Sequence, residues 1–295
     1  MIIVKLSGGL GNQLFQYSIG RHLSILKKTS LKFDISSFKN ADRSFALNNF
    51  INNYEIAGKL DLVKIFIRDF RNSYKYINYL SHINESYYKL PFYKEQLLSY
   101  DDNFSKCLEN VYLMGYWQSE MYFKSIEDII RKEIVLRPKI DYENEHILRM
   151  IEDTNSVCIH IRNGDYFYDS NIRKNIGVCP PDYYYEAINE ICNVVKNPYF
   201  FVFSDNTGWA KQNVRIENPH VYVTNNLNKS HFDMYLMSKC KHFITANSSF
   251  SWWGAWLSTS KNKIVYSPTP WCKNTVYNPV DILPKEWNRI SVNLL

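Results

Sequence analysis

Charged and polar side chains follow one apolar, strand-like segment in an order that suits phosphate binding. Residues 157–161 lead into Arg162, whose planar guanidinium offers paired donors to phosphate oxygens. His160 lies two residues earlier, so strand alternation puts both side chains on one side. An Arg162–Asp165 ion pair that stabilises the turn is the alternative interpretation. A histidine at a strand end is also more often a hydrogen-bonded structural residue than a base.

A serine-rich turn at residues 247–251 separates an apolar segment from a tryptophan-rich one. We interpret these parts as a strand end and a helix start, with Ser248, Ser249 and Phe250 at the helix N-terminus. The first backbone N–H groups of a helix lack partners within it and lie at the positive end of its dipole, so they bind anions. An ordinary N-cap, with the tryptophans packed in the core, is the alternative. Matching groups elsewhere in the chain favour the anion site.

Two carboxylates could recognise the remainder of a nucleotide-like ligand. Asp205 follows an apolar segment within Ser-Asp-Asn, and its side chain suits ribose or sugar hydroxyls, although this tripeptide is also common in turns. Asp233 lies on an otherwise apolar helical segment and could accept hydrogen bonds from a base edge. Its alternative role is to complement the dipole of its own helix.

A glycine-rich loop at residues 8–11 follows the first apolar segment and precedes Asn12. A dinucleotide-binding loop is one interpretation, with Asp34 as the ribose ligand, and it would make the protein an NAD(P)-linked oxidoreductase. The spacing is Gly-Gly-Leu-Gly, however, and the third glycine of that fingerprint is missing. We favour a tight turn that lets the backbone approach a ligand, with Asn12 carrying an amide into the cleft.

The elements that must position these residues alternate between strands and helices. Their order predicts an α/β fold with parallel sheets, in which ligands bind at the carboxyl ends of strands. The alternation restarts after residue 150, which predicts two domains, at residues 1–150 and 151–295. Residues 50–135 are expected to be mostly helical, apart from one strand at 111–116. The other predicted strands are 2–6, 30–34, 157–161, 199–203, 221–224, 242–245 and 263–266, and the predicted helices of the second domain include 182–195, 231–237 and 252–257.

Composition and charge exclude several classes of protein. The chain has 295 residues, 45% of them hydrophobic, so it is not disordered. Its net charge is +6, and its basic residues are scattered without long runs, which argues against a nucleic-acid-binding arm. The six cysteines form no Cys-x-x-Cys pair and lack zinc-ligand spacing. No signal peptide or membrane-spanning segment is apparent, so a cytoplasmic location is expected.

Six motifs together are similar to those of bacterial α-1,2-fucosyltransferases of glycosyltransferase family 11. Each motif is weak by itself, but all occur in the family's order across nearly the whole chain. The matching segments are 8–16, 115–120, 160–166, 203–205, 233–242 and 247–256. Two positions depart from the family pattern: Asn163 stands where the family usually has arginine, and Asn206 where it usually has aspartate.

The resemblance implies a GT-B-like fold of two facing Rossmann-type domains, with an acceptor-side N-terminal domain and a C-terminal domain that binds the GDP-sugar. It implies GDP-β-L-fucose as the donor, transfer to a galactose-terminated acceptor and no required metal. The implied contacts are Arg162 with the β-phosphate, His160 and Asp233 with guanosine, Ser248, Ser249 and Phe250 with the diphosphate, and Asn12 with the reacting sugar and acceptor. Asp205 joins the donor-binding set, and Asp165 is our candidate for the catalytic base.

The resemblance also bears on cellular context and on rival functions. A transferase of this kind would extend surface polysaccharide on a lipid-linked acceptor and would touch the inner membrane face peripherally. A transferase for another GDP-sugar or linkage is its nearest rival. A nucleotide-sugar-binding protein without catalysis is a third possibility, because Asn163 and Asn206 depart from the family pattern.

Overall fold

The computed structural model describes residues 1–39, 43–67, 91–164, 169–274 and 279–295, with only the backbone at 66–67 and 171–172. The chain divides into two compact units, Met1–Val135 and Leu136–Leu295. The predicted boundary at residue 150 lies later than the observed one. Helix α4 (Tyr142–Asp153) belongs to the second unit because it packs against a strand and a helix of that unit.

The first unit contains a sheet of parallel strands in the order β2-β1-β4-β3. Strand β1 is a continuous apolar run with both faces covered, as expected of a parallel strand. Helix α1 buries its apolar residues and packs against β1. The elements of this unit are β1 (Ile2–Lys5), α1 (Leu10–Leu26), β2 (Leu31–Asp34), α2 (Lys59–Ile67), β3 (Phe92–Lys94), β4 (Val111–Met114) and α3 (Glu127–Glu133).

The expectation of a mostly helical region at 50–135 is wrong for much of its described part. Residues 91–126 form two strands and several single turns of 3-10 helix. Their aromatic side chains pack against one another around the buried Trp117 instead of lining one face of a helix. Aromatic residues favour extended backbone, and this preference outweighs the leucines and lysines here. Residues 68–90 lie outside the described residues.

The second unit contains a sheet of parallel strands in the order β10-β9-β8-β5-β6-β7. The α/β class with two parallel sheets is therefore confirmed, while α5, α7 and β10 were not predicted. After α4, the elements are β5 (Asn155–Ile161), α5 (Ser170–Asn175), α6 (Pro181–Val194), β6 (Pro198–Ser204), α7 (Thr207–Asn213), β7 (His220–Val223), α8 (Ser230–Lys239), β8 (His242–Ile244), α9 (Ser249–Leu257), β9 (Val265–Thr269) and β10 (Asn288–Ser291).

The two faces of β5 meet different helices. Val157, Ile159 and Ile161 join the core formed with α6 and α7. Side chains of the opposite face meet α8 and α9: the His160 ring lies against Phe250 at the start of α9, with centroids 5.6 Å apart. Helices α8 and α9 pack against each other on this face. Helices that connect parallel strands begin at the carboxyl edge of the sheet, so α9 starts after β8, the neighbour of β5, and α8 starts at the same edge after β7.

Each sheet contains a point where the chain reverses its direction of winding. In the second unit the chain passes from β5 to β6 and β7, then returns to place β8 on the other side of β5. In the first unit β1 lies between β2 and β4 in the same manner. Loops diverge at such switch points and leave a crevice at the carboxyl ends, where α/β proteins bind ligands. The two sheets therefore supply two separate candidate positions.

No helix within the described ranges combines the length and the apolar character needed to cross a bilayer.

Candidate functional site

Arg162 follows β5 directly, and Asp205 of the neighbouring strand holds it in place. Arg162 Nη1 forms an ion pair with Asp205 Oδ2 at a distance of 2.9 Å. The same carboxylate accepts the backbone N–H groups of Asn163 at 2.9 Å and Gly164 at 3.1 Å. A Cβ at Gly164 would lie only 2.7 Å from Asp205 Oδ2, so this close approach requires glycine. Asp205 therefore fixes the loop that carries Arg162, whose side chain is 18% exposed and can still reach a ligand.

This arrangement gives Asp205 a different task from the one predicted. Its oxygens bind the arginine and two backbone groups of the protein, so the observed contacts assign it to positioning Arg162. Arg162 forms an ion pair with Asp205, and the Arg162–Asp165 pair considered from the sequence stays untested. Asp165 lies outside the described residues, and its prediction as the base stays a prediction.

Asn206, one of the two departures from the family pattern, caps a helix. Its Oδ1 accepts the backbone N–H of Trp209 at 3.1 Å at the start of α7. Asparagine and aspartate are comparably good N-cap residues. The replacement therefore preserves the local structure.

Asn163, the other departure, lies beside Arg162 and is 1% exposed. Within the described part of the chain, neither its Nδ2 nor its Oδ1 has a hydrogen-bond partner. A buried polar group left in this state costs about 1–3 kcal/mol. The loop thus holds an unsatisfied amide next to its arginine, and an arriving ligand or water could satisfy it.

His160 is a neutral residue of the same site. Burial lowers the pKa of His160 to about 3, and the nearby charge of Arg162 contributes to this shift. Its ring lies against Phe250, and its Nδ1 has no partner among the described residues. A neutral imidazole can still donate or accept one hydrogen bond. His160 is therefore suited to recognition by stacking and hydrogen bonding, and not to carrying charge.

The N-terminus of α9 lies at the end of β8, the strand beside β5. Ser248 is the N-cap, and its Oγ accepts the backbone N–H of Phe250 at 3.3 Å. The first turn of α9 contains no acidic residue, so no side chain of that turn neutralises the positive end of the helix dipole. The prediction of a helix start at Ser248 and Ser249 is confirmed.

Asn247 anchors this turn, a role that the sequence analysis did not identify. Its Nδ2 lies within hydrogen-bonding distance of three carbonyl oxygens: 3.3 Å from Ile176, 3.1 Å from Gly177 and 3.2 Å from Trp271. These partners come from distant parts of the second unit, so sequence spacing gives no signal for them. They fix the backbone that leads into α9.

Asp233, in the first turn of α8, belongs to a network of buried amides. Its Oδ1 accepts a hydrogen bond of 2.7 Å from Asn226 Nδ2. Asn226 in turn exchanges two hydrogen bonds with Asn144 of α4, at 2.8 and 2.9 Å. Burial raises the pKa of Asp233 to about 7, and the Asn226 bond opposes this rise. The network orients one oxygen of Asp233 and leaves Oδ2 without a hydrogen bond among the described residues.

Asp233 also lies close enough to the middle of β5 to act electrostatically on Cys158. Burial raises the pKa of the Cys158 thiol, and the neighbouring Cys240 and the charge of Asp233 raise it further. Cys158 and His160 share the face of β5 that meets α8 and α9. Asn226 and Asn144, which hold Asp233, were not predicted, because they lie in a loop and a helix far apart in sequence.

Asn12 belongs to the switch point of the first unit. Its Oδ1 accepts a hydrogen bond of 2.8 Å from Gln118 Nε2. Gln16 joins the two loops there, because it accepts the N–H of Ser7 at 2.9 Å and donates to the Gly115 carbonyl at 2.9 Å. The turn predicted at residues 8–11 is confirmed only at Gly8, whose φ is +73°, and Gly9, because α1 already begins at Leu10.

The dinucleotide interpretation loses support at Asp34. Its Oδ2 accepts a hydrogen bond of 2.6 Å from the Tyr112 hydroxyl, and its Oδ1 accepts the N–H of Ser36 at 2.8 Å. Asp34 is buried, with 8% of its surface exposed. Its contacts are those of a structural residue that joins β2 to β4.

Taken together, this part of the second unit offers a held arginine, a helix N-terminus, a neutral histidine and a half-buried carboxylate. These groups suit an anionic ligand with a polar ring system, as a nucleotide has. No cluster of three metal-ligating side chains occurs in the described ranges.

Comparison with known proteins identifies the family of the chain. The profile of Glycosyl transferase family 11 matches residues 1–291. An alpha-1,2-colitosyltransferase of Escherichia coli is 33% identical over 303 residues, covering 99% of each chain. The O-antigen biosynthesis glycosyltransferase WbnK of Escherichia coli is 35% identical over 295 residues, covering 90% of this chain and 93% of WbnK.

A solved structure supports the fold. The crystal structure of NodZ α-1,6-fucosyltransferase soaked with GDP-fucose aligns with a TM-score of 0.50 at 13% identity. The alignment covers 87% of this chain and 92% of NodZ. Since the family profile spans almost the whole sequence and both Escherichia coli relatives match along nearly their full lengths, the chain belongs to glycosyl transferase family 11.

Proposed function

We propose that this glycosyltransferase moves L-fucose from GDP-β-L-fucose to the 2-hydroxyl of a galactose-terminated acceptor, with inversion at the anomeric carbon. The observation that carries the proposal is the joint position of Arg162, held by Asp205, and the uncompensated N-terminus of α9 at one switch point. The family resemblance of the motifs supplies the identity of the sugar and the linkage.

The leaving group explains why these two features belong together. As the bond to fucose breaks, negative charge accumulates on the β-phosphate of GDP. Arg162 and the backbone N–H groups at the start of α9 would stabilise this charge from fixed positions, which costs no reorganisation during the reaction. This stabilisation does not require a metal ion, so we expect transfer to proceed without one.

In this proposal, the guanine base is recognised by Asp233 of α8 and by His160 on the face of β5 that meets α8 and α9. Asp233 Oδ2 could accept the N–H groups on the Watson–Crick edge of guanine, while Asn226 keeps the carboxylate in orientation. The neutral His160 and the adjacent Phe250 ring would contact the nucleoside without adding charge.

Inversion at the anomeric carbon determines the direction from which the acceptor hydroxyl attacks. A β-linked donor gives an α product when the acceptor hydroxyl attacks from the side opposite GDP, through an oxocarbenium-like state. Departure of the diphosphate runs ahead of attack, so a base needs to remove the proton only late. We assign this task to Asp165 and the orientation of the reacting sugar and acceptor to Asn12.

Colitose as the transferred sugar is the second candidate, because the relative at 33% identity is named an alpha-1,2-colitosyltransferase. Colitose lacks the 3-hydroxyl of fucose, so a competition between GDP-fucose and GDP-colitose separates the two. Our proposal predicts the higher kcat/KM for GDP-fucose. A higher value for GDP-colitose would reassign the donor but leave the phosphate site unchanged.

The cellular role follows from the acceptor. WbnK is named an O-antigen biosynthesis glycosyltransferase, and a similar role here would use a lipid-linked galactoside. We propose that the protein works in the cytoplasm and contacts the inner membrane face peripherally to reach this acceptor.

The deciding experiment incubates the protein with radiolabelled GDP-fucose and a β-galactoside, with and without EDTA. We expect a labelled α-1,2-linked product in both reactions. Loss of product with EDTA would refute metal independence. Binding of GDP without any transfer, across a panel of galactosides, would favour the nucleotide-sugar-binding protein. The oxidoreductase alternative requires that NAD displace bound donor in saturation-transfer NMR, whereas our proposal predicts displacement by GDP alone.

A further inference from the structure

The first unit contains a group of uncharged side chains that the donor site does not use. We infer that Tyr116, Gln118 and Asn12 form a subsite for a neutral pyranose ring, which in the proposed reaction is the galactose of the acceptor. This inference rests on the proposed function for the identity of the sugar. Its physical basis is the switch point between β1 and β4, where the first turn of α1, which carries Asn12, meets the loop after β4, which carries Tyr116 and Gln118.

The amides of Asn12 and Gln118 form a matched pair. Gln118 Nε2 donates to Asn12 Oδ1 at 2.8 Å, which uses one donor and one acceptor. Asn12 Nδ2 and Gln118 Oε1 make no other hydrogen bond among the described residues, and neither atom is buried. The pair therefore presents one donor and one acceptor side by side. Adjacent hydroxyls of a sugar both donate and accept, so they complement such a pair.

Gln118 lies at the apex of an unusually tight turn. The N–H of Ser119 donates to the Trp117 carbonyl at 2.9 Å, which closes a three-residue turn around Gln118. Trp117 itself has a φ of +57°, in the left-handed region that a bulky residue rarely adopts. Such strain persists only where the surroundings hold it, and it is concentrated at ligand-binding sites.

Two sets of contacts hold the turn in this shape. Glu95 accepts the N–H of Tyr116 at 2.6 Å and that of Trp117 at 2.9 Å. The Trp117 ring is completely buried and lies 5.4 Å from Tyr93 and 5.5 Å from Tyr122, measured between centroids. Since the carboxylate binds backbone groups and the ring is enclosed, the turn is fixed before any ligand arrives.

This rigid turn leaves Tyr116 exposed, although the next residue is fully buried. Tyr116 is 40% exposed. An aromatic ring beside a few convergent polar groups is typical of a small-molecule site, and its face can pack against the apolar C–H face of a hexose. The three proposed contacts carry no formal charge, which favours an uncharged sugar over a phosphate or a carboxylate.

Steady-state kinetics of two variants test the subsite. Tyr116→Ala and Gln118→Ala should each raise the KM for a methyl β-galactoside roughly tenfold, the effect of losing one good contact. The KM for GDP-fucose and the Kd for GDP should stay at wild-type values, and Tyr116→Phe should retain the acceptor KM. Tyr142→Ala, at a tyrosine that is 82% exposed in the second unit, is the matched control. An unchanged acceptor KM in both alanine variants would overturn the inference.

Direct binding separates this inference from the proposed function. Saturation-transfer NMR of the wild-type chain with a panel of methyl glycosides needs no donor. The inference predicts that the glycoside with the strongest signal loses it in Tyr116→Ala and keeps it in Tyr142→Ala. Equal signals in both variants contradict the subsite. Intact glycoside binding with no transfer from GDP-fucose contradicts the proposed function and supports the subsite.

Discussion

The carboxyl edges of the two sheets are built on the same plan but carry different chemistry. Each has a switch point, and each has a buried amide that ties the loops together: Gln16 in the first unit and Asn247 in the second. The second edge adds Arg162, a carboxylate network and a helix N-terminus whose first turn has no acidic residue, whereas the first presents neutral amides and a tyrosine. In our proposal, one topology thus supports both the diphosphate site and the sugar subsite.

The difference lies in how each edge uses its carboxylates. In the second unit Asp205 holds a cation toward the ligand side. In the first unit Glu95 and Asp34 bind backbone N–H groups or a tyrosine hydroxyl, so they shape loops. A carboxylate that pairs with an arginine offsets part of its charge but fixes the guanidinium in position. One that binds only the backbone leaves the surrounding surface to neutral groups.

Removing the Arg162 guanidinium should have the largest effect on transfer. We expect Arg162→Ala to lower kcat about 10²–10³-fold, the cost of losing one group that stabilises developing charge. GDP binding should weaken by roughly 1.5–3 kcal/mol, as for a hydrogen bond to a charged group. Kinetics and calorimetric titration with GDP measure both effects.

Arg149→Ala provides the control, because that arginine is 71% exposed on α4. It should match the wild type in both assays. Near-normal turnover in Arg162→Ala would end the argument that the second edge stabilises the leaving group.

Asp233→Asn should have the next largest effect. The change replaces an acceptor by an amide, so GDP should bind about tenfold more weakly, the loss of roughly one hydrogen bond. Inosine diphosphate lacks the 2-amino group of guanine, and its affinity should fall less than that of GDP. Fluorescence titration with both nucleotides measures the difference. Equal losses for the two would assign Asp233 a structural role.

The pH dependence of stability provides a second readout of Asp233. Burial raises the pKa of Asp233 from 3.8 to about 7, so between these values the folded protein keeps a proton that the unfolded chain releases. The wild type therefore loses stability as pH rises through this range. An amide at this position cannot ionise, so the stability of Asp233→Asn relative to the wild type should increase from pH 4 to pH 7. Thermal denaturation of both proteins from pH 4 to pH 7 measures this difference. Its absence would contradict a raised pKa of Asp233.

Asn226→Ala should have a smaller effect, because it removes the group that orients Asp233 and not the carboxylate itself. The Asn226 hydrogen bond favours the ionised form of Asp233, so its loss should raise the pKa of Asp233 above about 7. GDP binding should therefore reach its full strength at a higher pH in the variant than in the wild type. Near neutral pH, the Kd of the variant for GDP should be a few-fold higher.

Asn225→Ala is a close control for this change. Asn225 Nδ2 also donates to Asn144, at 3.1 Å, and this bond does not involve Asp233. Its pH profile for GDP binding should match that of the wild type. Identical profiles for all three proteins would show that Asp233 does not depend on the amide network.

Asn206→Asp should have the smallest effect. Both residues cap a helix well, so the melting temperature and turnover should change little, with stability within about 0.5 kcal/mol of the wild type. Differential scanning calorimetry and kinetics measure this. A large gain in turnover would mean that the family's usual aspartate does more than begin α7.

The sequence predicted those parts of the site that depend on neighbouring residues. Arg162, Ser248 and Asp233 could be recognised because each follows an apolar strand or opens a helix, and hydrophobic periodicity marks such places. It found β4 but failed elsewhere in residues 91–126, where aromatic residues pack among themselves, and it missed the short elements α5, α7 and β10. Short elements carry too few residues to show a period.

What the sequence determined by itself was the alternation of strands and helices, and hence a parallel α/β fold with its polar residues at the carboxyl edges. The tertiary structure alone decided which of these residues meet. Asp205 holds Arg162 because β6 pairs with β5, and Asn226 links Asp233 to Asn144 of a distant helix. Gln118 meets Asn12 because β4 pairs with β1. These contacts join residues far apart in the chain, and local spacing carries no record of such pairings.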